Sequence, residues 1–189
     1  MTDEYERARQ KAADFFHVKE SGTVIFTRGA TEGINLVASS YLPYVAEDRN
    51  EVVVTVAEHH SNFVPWQQWC RKTGKKLIVL PHRRSLMERK NLQMLEEAIT
   101  ERTALVAMAH LTNVFGILQP VEEAAKLAHD KGALLLVDGA QAAGHISVDF
   151  EKLGCDFYAV SGHKMYGPTG IGFLLGTKDI LHQMEHWQY

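Results

Sequence analysis

Cysteine is scarce. Only Cys70 and Cys155 occur in 189 residues, and neither stands in a CxxC or CxxH spacing. That argues against a zinc ribbon or finger and against a secreted disulfide scaffold. Two well-separated thiols suit a reducing, cytoplasmic compartment. Long apolar runs are missing as well. None approaches the ~20 residues of a membrane span, so no membrane partner is expected. MTDEYERARQKAADFF (1–16) is charged, has no apolar h-region and does not read as a signal peptide. No charge of one sign dominates either. The formal net charge of −3 gives no overall pull toward nucleic acid. The densest basic stretch, HRRSLMERK (82–90), lacks the aromatics and glycines of a stacking platform and reads as a solvated loop.

Two nucleotide motifs are also absent. A P-loop needs GxxxxGK[ST], and Lys164 is followed by Met165. A dinucleotide fingerprint needs GxGxxG opening a helix, whereas GPTGIG (167–172) leads into an apolar, strand-like run.

What is present is a soluble, globular composition, 46% apolar and 23% charged, in a chain long enough to bury a core. Tyr5, Ala8, Ala12, Phe15 and Phe16 recur at helical spacing. Strands are expected at TVIFT (23–27), EVVVTVA (51–57), KLIVL (76–80), ALVAMAH (104–110), ALLLVDG (133–139), DFYAVSG (156–162) and GIGFLLG (170–176). Helical patterns fall near 31–41, 61–73, 91–100, 120–131 and after 178. VVVTV and ALLLV are apolar on both faces, the mark of a parallel sheet covered by helices. The expected fold is therefore α/β: a three-layer α/β/α domain around a mostly parallel sheet of about seven strands. Only Lys164 to Thr169 separate the last two strands, too few residues for a helical crossover. That pair is read as antiparallel, or as crossing to another part of the sheet.

In open α/β sheets the site lies beyond the carboxyl ends of the strands. Five strands here end in chemically capable residues: RGATEG (28–33), EHHSN (58–62), HLTN (110–113), DGAQ (138–141) and SGHK (161–164). Together they predict one ligand-binding crevice. In RGATEG, Thr31 reads as a helix N-cap. The same residues equally suit an anion, such as phosphate, held by free N–H groups and the Thr31 hydroxyl. Asp138 ends a buried strand and needs a cationic or donor partner, which a structural arginine would also satisfy. His59 and His60 are adjacent and diverge on any regular element, so no metal site is expected. A single structural histidine is the simpler reading of each.

Lys164 discriminates. Lysines are rarely buried without a role, and a partly desolvated lysine amine can act as a nucleophile. Pyridoxal 5'-phosphate needs a lysine for its Schiff base, a carboxylate for its pyridine nitrogen and donors for its phosphate. Lys164, Asp138 and the Thr31 segment supply these three.

DGAQAAGHISVDFEKLGCDFYAVSGHKMYGPTGIGFL (138–174) resembles the pyridoxal-phosphate segment of the class V aminotransferase superfamily, and within it SufS-like cysteine desulfurases. RGATEGINLVA (28–38), EHHSNFVPWQ (58–67) and HLTNVFGILQPV (110–121) resemble further blocks of that family, in order, so the likeness covers nearly the whole chain. It implies that Lys164 forms the Schiff base and moves protons at the substrate Cα. It implies that Asp138 pairs with the pyridine nitrogen, that His59 stacks on the ring, and that Gln141 and Asn113 lie near the phenolic oxygen. Ala30, Thr31, Ser161 and His163 are implied to hold the phosphate.

The implied reaction takes L-cysteine to L-alanine, with the sulfur passing through an enzyme persulfide to an acceptor protein for iron–sulfur cluster assembly. A homodimer is implied as well. Selenocysteine lyase, kynureninase or epimerase activity, or a non-catalytic module of the same fold, are the alternatives. Family members are longer, with an N-terminal segment and a C-terminal small domain that supplies the persulfide cysteine. Residues 1–189 are accordingly expected to form the cofactor-binding large domain. Neither Cys70 nor Cys155 matches that cysteine, so both are expected to be structural and the chain alone is expected not to complete the cycle.

Overall fold

A computed structural model describes residues 2–81 and 88–185. Most of the basic stretch at 82–90 lies outside them. Seven strands form one sheet: β1 (Val24–Thr27), β2 (Glu51–Thr55), β3 (Lys76–Leu80), β4 (Thr103–Ala109), β5 (Leu134–Asp138), β6 (Phe157–Ser161) and β7 (Gly172–Gly176). Their order is β1-β7-β6-β5-β4-β2-β3. Strands β2 to β6 are parallel to one another. Strand β7 is antiparallel to both β6 and β1. So β1 runs the same way as β6, and six carboxyl ends share one edge of the sheet.

The helices are α1 (Thr2–Phe15), α2 (Ala30–Ser40), α3 (Val64–Thr73), α4 (Glu88–Ala98), α5 (Val121–Asp130), α6 (Phe150–Leu153) and α7 (Lys178–Leu181). Side chains alternate across the strands, so each strand feeds two cores. Val52, Val54, Leu105, Ala107, Leu136, Phe157 and Leu174 pack with Ile34 and Val37 of α2 and Trp66 of α3. Val53, Val106, Leu135, Val137, Tyr158 and Leu175 pack with Ala12 and Ala13 of α1, Leu95 of α4 and Ala124 of α5. The expected three-layer α/β/α architecture and the antiparallel final pair are both present. A fully buried residue such as Ile34, 0% exposed, is worth about 2–5 kcal/mol against alanine.

Local differences from the sequence expectation have physical causes. The pattern at 61–73 is interrupted: a 3-10 turn, His60–Asn62, precedes α3, which starts at Val64 with Pro65 in its first turn. The short α6 lacks enough residues to show a period. It is specified by its cap, the Asp149 side chain accepting from the Lys152 N–H at 3.0 Å, and by the left-handed Gly154 that ends it.

Candidate active site

All five polar strand ends lie at the shared carboxyl edge. The first and last are joined directly. Helix α2 begins after Gly29, whose φ of 149° suits glycine, and its N-cap has no side chain to offer. Thr31 is therefore not the cap that the sequence suggested but the second helical residue. The capping oxygen comes from strand β6: Ser161 Oγ accepts from the Ala30 N–H at 2.9 Å. The N–H groups of Glu32 and Gly33 bond Gly29 O at 3.1 and 3.2 Å. That leaves the Thr31 N–H as the first-turn donor without a partner among the described residues. Thr31, Ser161 and His163 line one cleft of about 440 Å³ together with Arg28, Gly29, Glu32 and Asn35. A free helix N–H, a hydroxyl and an imidazole around one cleft are the donor set an oxyanion requires.

Lys164 ends a 3-10 turn, Gly162–Lys164, that directly follows β6. It is half-buried. The turn rests on Gly144, where a Cβ would meet the Lys164 carbonyl oxygen at 2.4 Å. Two residues on, Tyr166 has a φ of 66°, unusual for a residue with a side chain.

Asp138 ends β5 and is 6% exposed. Burial raises its pKa; the Ala140 N–H, Lys164 and His59 oppose that rise in descending order. Oδ1 accepts from the Ala140 N–H at 3.0 Å. No arginine pairs with Asp138 among the described residues, so the structural pairing left open by the sequence is not the one formed. A buried carboxylate with one oxygen engaged by a backbone N–H has room for a further donor, as a protonated pyridine nitrogen would be.

Around this centre, Gln141 Nε2 donates to Asn113 Oδ1. His145 Nδ1 donates to the Gln141 carbonyl at 2.6 Å. His59 caps the turn His60–Asn62, its Nδ1 accepting from the Ser61 N–H at 3.2 Å. The His59 and His60 rings diverge, with centroids 6.0 Å apart, and no group of three or more metal-ligating side chains exists among the described residues. Ala30, Thr31, His59, Asn113, Asp138, Gln141, Ser161, His163 and Lys164 thus all belong to the carboxyl edge of the sheet.

His110 does not join them. It is 6% exposed, with Nδ1 2.9 Å from the Tyr158 hydroxyl, and burial drives its pKa down to about 4. It is a neutral structural histidine. Two residues that do matter have no isolated sequence signal. Glu58 accepts from Thr55 Oγ1 at 2.8 Å and Asn62 Nδ2 at 2.7 Å. Asn62 in turn accepts from Trp66 Nε1 at 3.1 Å, tying the His59 turn to the core. Ser61 touches both His59 and Thr31. Only the position of both residues within EHHSN, directly after an apolar strand, hinted at a role.

Both cysteines are buried. Burial raises the Cys70 thiol to about 11 and the Cys155 thiol further, the behaviour of structural thiols.

Residues 1–189 match the family model described as Aminotransferase class-V. The chain is 48% identical over 184 residues to a probable cysteine desulfurase of Halalkalibacterium halodurans, covering 97% of this chain and 45% of that protein. It is 41% identical over 187 residues to the cysteine desulfurase CsdA of Escherichia coli, covering 99% of this chain and 46% of that protein. The crystal structure of Escherichia coli CsdA matches the fold with a TM-score of 0.93 at 40% identity, over 100% of this chain and 47% of that one. The apo structure of a cysteine desulfurase from Thermococcus onnurineus matches with a TM-score of 0.83 at 35% identity, over 100% and 46%. The chain spans about half the length of the curated relatives it matches. A family match over every residue, with relatives up to 48% identical, leads to one conclusion: the chain belongs to the class-V aminotransferase family, among relatives named cysteine desulfurases.

Proposed function

We propose that residues 1–189 form the pyridoxal-phosphate-binding large domain of a cysteine desulfurase. One observation carries this reading. Lys164, on the turn after β6, and the buried Asp138, at the end of β5, follow neighbouring parallel strands, and the cleft of Thr31, Ser161 and His163 adjoins the end of β6. A nucleophilic amine, an anchored carboxylate and an anion cradle fit the three demands of this cofactor.

Pyridoxal phosphate, when bound, supplies an electron sink for the substrate Cα. The chain's own residues do the rest. Lys164 Nζ would be the amine that holds the cofactor and the base that moves the substrate Cα proton. The Asp138 carboxylate keeps the pyridine nitrogen protonated. Its burial makes the ion pair strong and the bare carboxylate unfavourable. Thr31 through its N–H, Ser161 and His163 would hold the phosphate, while the Ala30 N–H remains on Ser161. His59 would cover one ring face, and Gln141 with Asn113 would orient the phenolic oxygen.

The substrate proposed is L-cysteine, which yields L-alanine. The sulfur goes to a thiol other than Cys70 or Cys155, since both are buried, and then to an acceptor protein for iron–sulfur cluster assembly. A homodimer in the cytoplasm is the setting expected of such an enzyme.

The test is to load the chain with pyridoxal phosphate, reduce it with borohydride and map the modified peptide. The pyridoxyl group is expected on Lys164 and is expected to vanish in Lys164→Ala. L-Cysteine, but not D-cysteine, is expected to change the visible absorption of the loaded protein. Label on another lysine, or no cofactor uptake at all, would count for a non-catalytic module instead.

A further inference from the structure

Ser61 stands between two parts of the site that the preceding section treats separately. Its hydroxyl lies 2.7 Å from Thr31 Oγ1 and 3.0 Å from His59 Nδ1. Its backbone N–H also points at Nδ1, at 3.2 Å. A backbone N–H can only donate, so Nδ1 must present its lone pair. The neutral His59 ring therefore carries its proton on Nε2. At 3.0 Å from that lone pair, the Ser61 oxygen is repelled unless its own proton lies between the two atoms. The Ser61 hydroxyl then donates to His59, and the proton of the Thr31 hydroxyl is left to donate to Ser61. The three side chains form a directed relay, Thr31 to Ser61 to His59, joining the N-terminus of α2 to the turn before α3.

We propose that Ser61 is a positioning residue that couples the phosphate end of the cofactor site, at Thr31, to the ring-stacking histidine, His59. The proposal rests on the pyridoxal-phosphate reading for its consequence and on the hydrogen bonds alone for its existence. An anion in the cleft meets the Thr31 N–H, which the relay leaves free, so that filling the cleft and holding His59 both draw on one fixed arrangement of Thr31. Linkage makes this mutual: whatever holds His59 in place also sharpens the grip at Thr31. Without Ser61 the two ends of the site act independently.

Two measurements test this on the whole chain. In the cofactor-free protein, the 15N resonance of His59 Nδ1 is followed in wild type, Ser61→Ala, Thr31→Ala and the double variant. Both single variants are expected to move it, and Thr31→Ala is expected to move it no further once Ser61 is alanine. Ser61→Thr, which keeps the hydroxyl, is expected to leave it near the wild-type position. With pyridoxal phosphate as titrant, Ser61→Ala is expected to weaken binding roughly fivefold to tenfold, the scale of one lost hydrogen bond. In the Thr31→Ala background it is expected to weaken binding less than about twofold, because coupled partners are not additive.

A His59 resonance indifferent to Thr31, or additive losses of affinity, would overturn the proposal. If the resonances couple as described and the chain takes up no cofactor, the relay stands and the functional reading falls.

Discussion

Ser161 Oγ, at the carboxyl end of β6, accepts the N–H of Ala30 at 2.9 Å across 131 residues of sequence. The bond replaces a local N-cap that Gly29 cannot provide and fixes the start of α2 to the strand that delivers Lys164. Ser161→Ala is expected to destabilise the chain by about 1 kcal/mol, the usual worth of a lost cap, and to weaken pyridoxal phosphate binding beyond that of a generally loosened fold. Urea unfolding and cofactor titration measure the two effects. A stability loss with unchanged affinity would show Ser161 to be a cap alone.

Gly144 controls the placement of Lys164 from the other side. A Cβ there would lie 2.4 Å from the Lys164 carbonyl oxygen and 3.1 Å from Met165 Cα, both backbone atoms that cannot rotate away. Gly144→Ala should displace the Lys164 turn and cost about 1–3 kcal/mol, as overpacking does. Borohydride-trapped label on Lys164 should fall more steeply than the melting temperature predicts. Retention of full labelling would mean that the turn absorbs the methyl group without moving the lysine.

Cys70 and Cys155 should behave as buried thiols. With the Cys70 pKa near 11 and that of Cys155 higher still, little thiolate exists at neutral pH and access is closed. Alkylation of the native chain is expected to be at least about a hundredfold slower than in urea. After incubation with cofactor and L-cysteine, neither thiol is expected to carry a persulfide by mass spectrometry. A persulfide on either would identify it as the sulfur acceptor.

Much of this architecture was legible because it is local or periodic. VVVTV and ALLLV read as buried strands because both faces are apolar. The six residues from Lys164 to Thr169 were too few for a helical crossover, and β7 is antiparallel. Lys164 and Asp138 stood out because charge at the end of an apolar run needs a reason. What stayed hidden depends on partners distant in sequence. Thr31 looked like a cap because a threonine before a helix usually is one, and only folding brings Ser161 to Ala30. His110 opens HLTN, one of the five polar strand ends read as pointing at the crevice. Its side chain instead meets Tyr158 inside the core. Ser61 and Glu58 gained meaning only through Thr31, Asn62 and Asp138, which no spacing rule connects to them.

Glu58 gives the chain a distinctive pH dependence. Burial raises its pKa to about 8, with Asp138 adding to the rise, while the bonds from Thr55 and Asn62 oppose it. Unfolded, the same carboxyl titrates near 4.5. Between these values the folded chain holds a proton that the unfolded chain has released. The stability this group confers is complete below about pH 4.5 and is lost as pH rises through about 8. Asp138 and Asp156 are raised as well, so wild type alone does not isolate the effect. Comparison with Glu58→Gln does, because the amide cannot ionise and the Thr55 hydroxyl can turn to accept from it. Urea unfolding of the cofactor-free chain at pH 5.5, 6.5 and 7.5 should show wild type losing stability relative to Glu58→Gln. The relative loss should total at least about 1 kcal/mol across the series. Parallel curves would mean that Glu58 is already ionised in the folded chain.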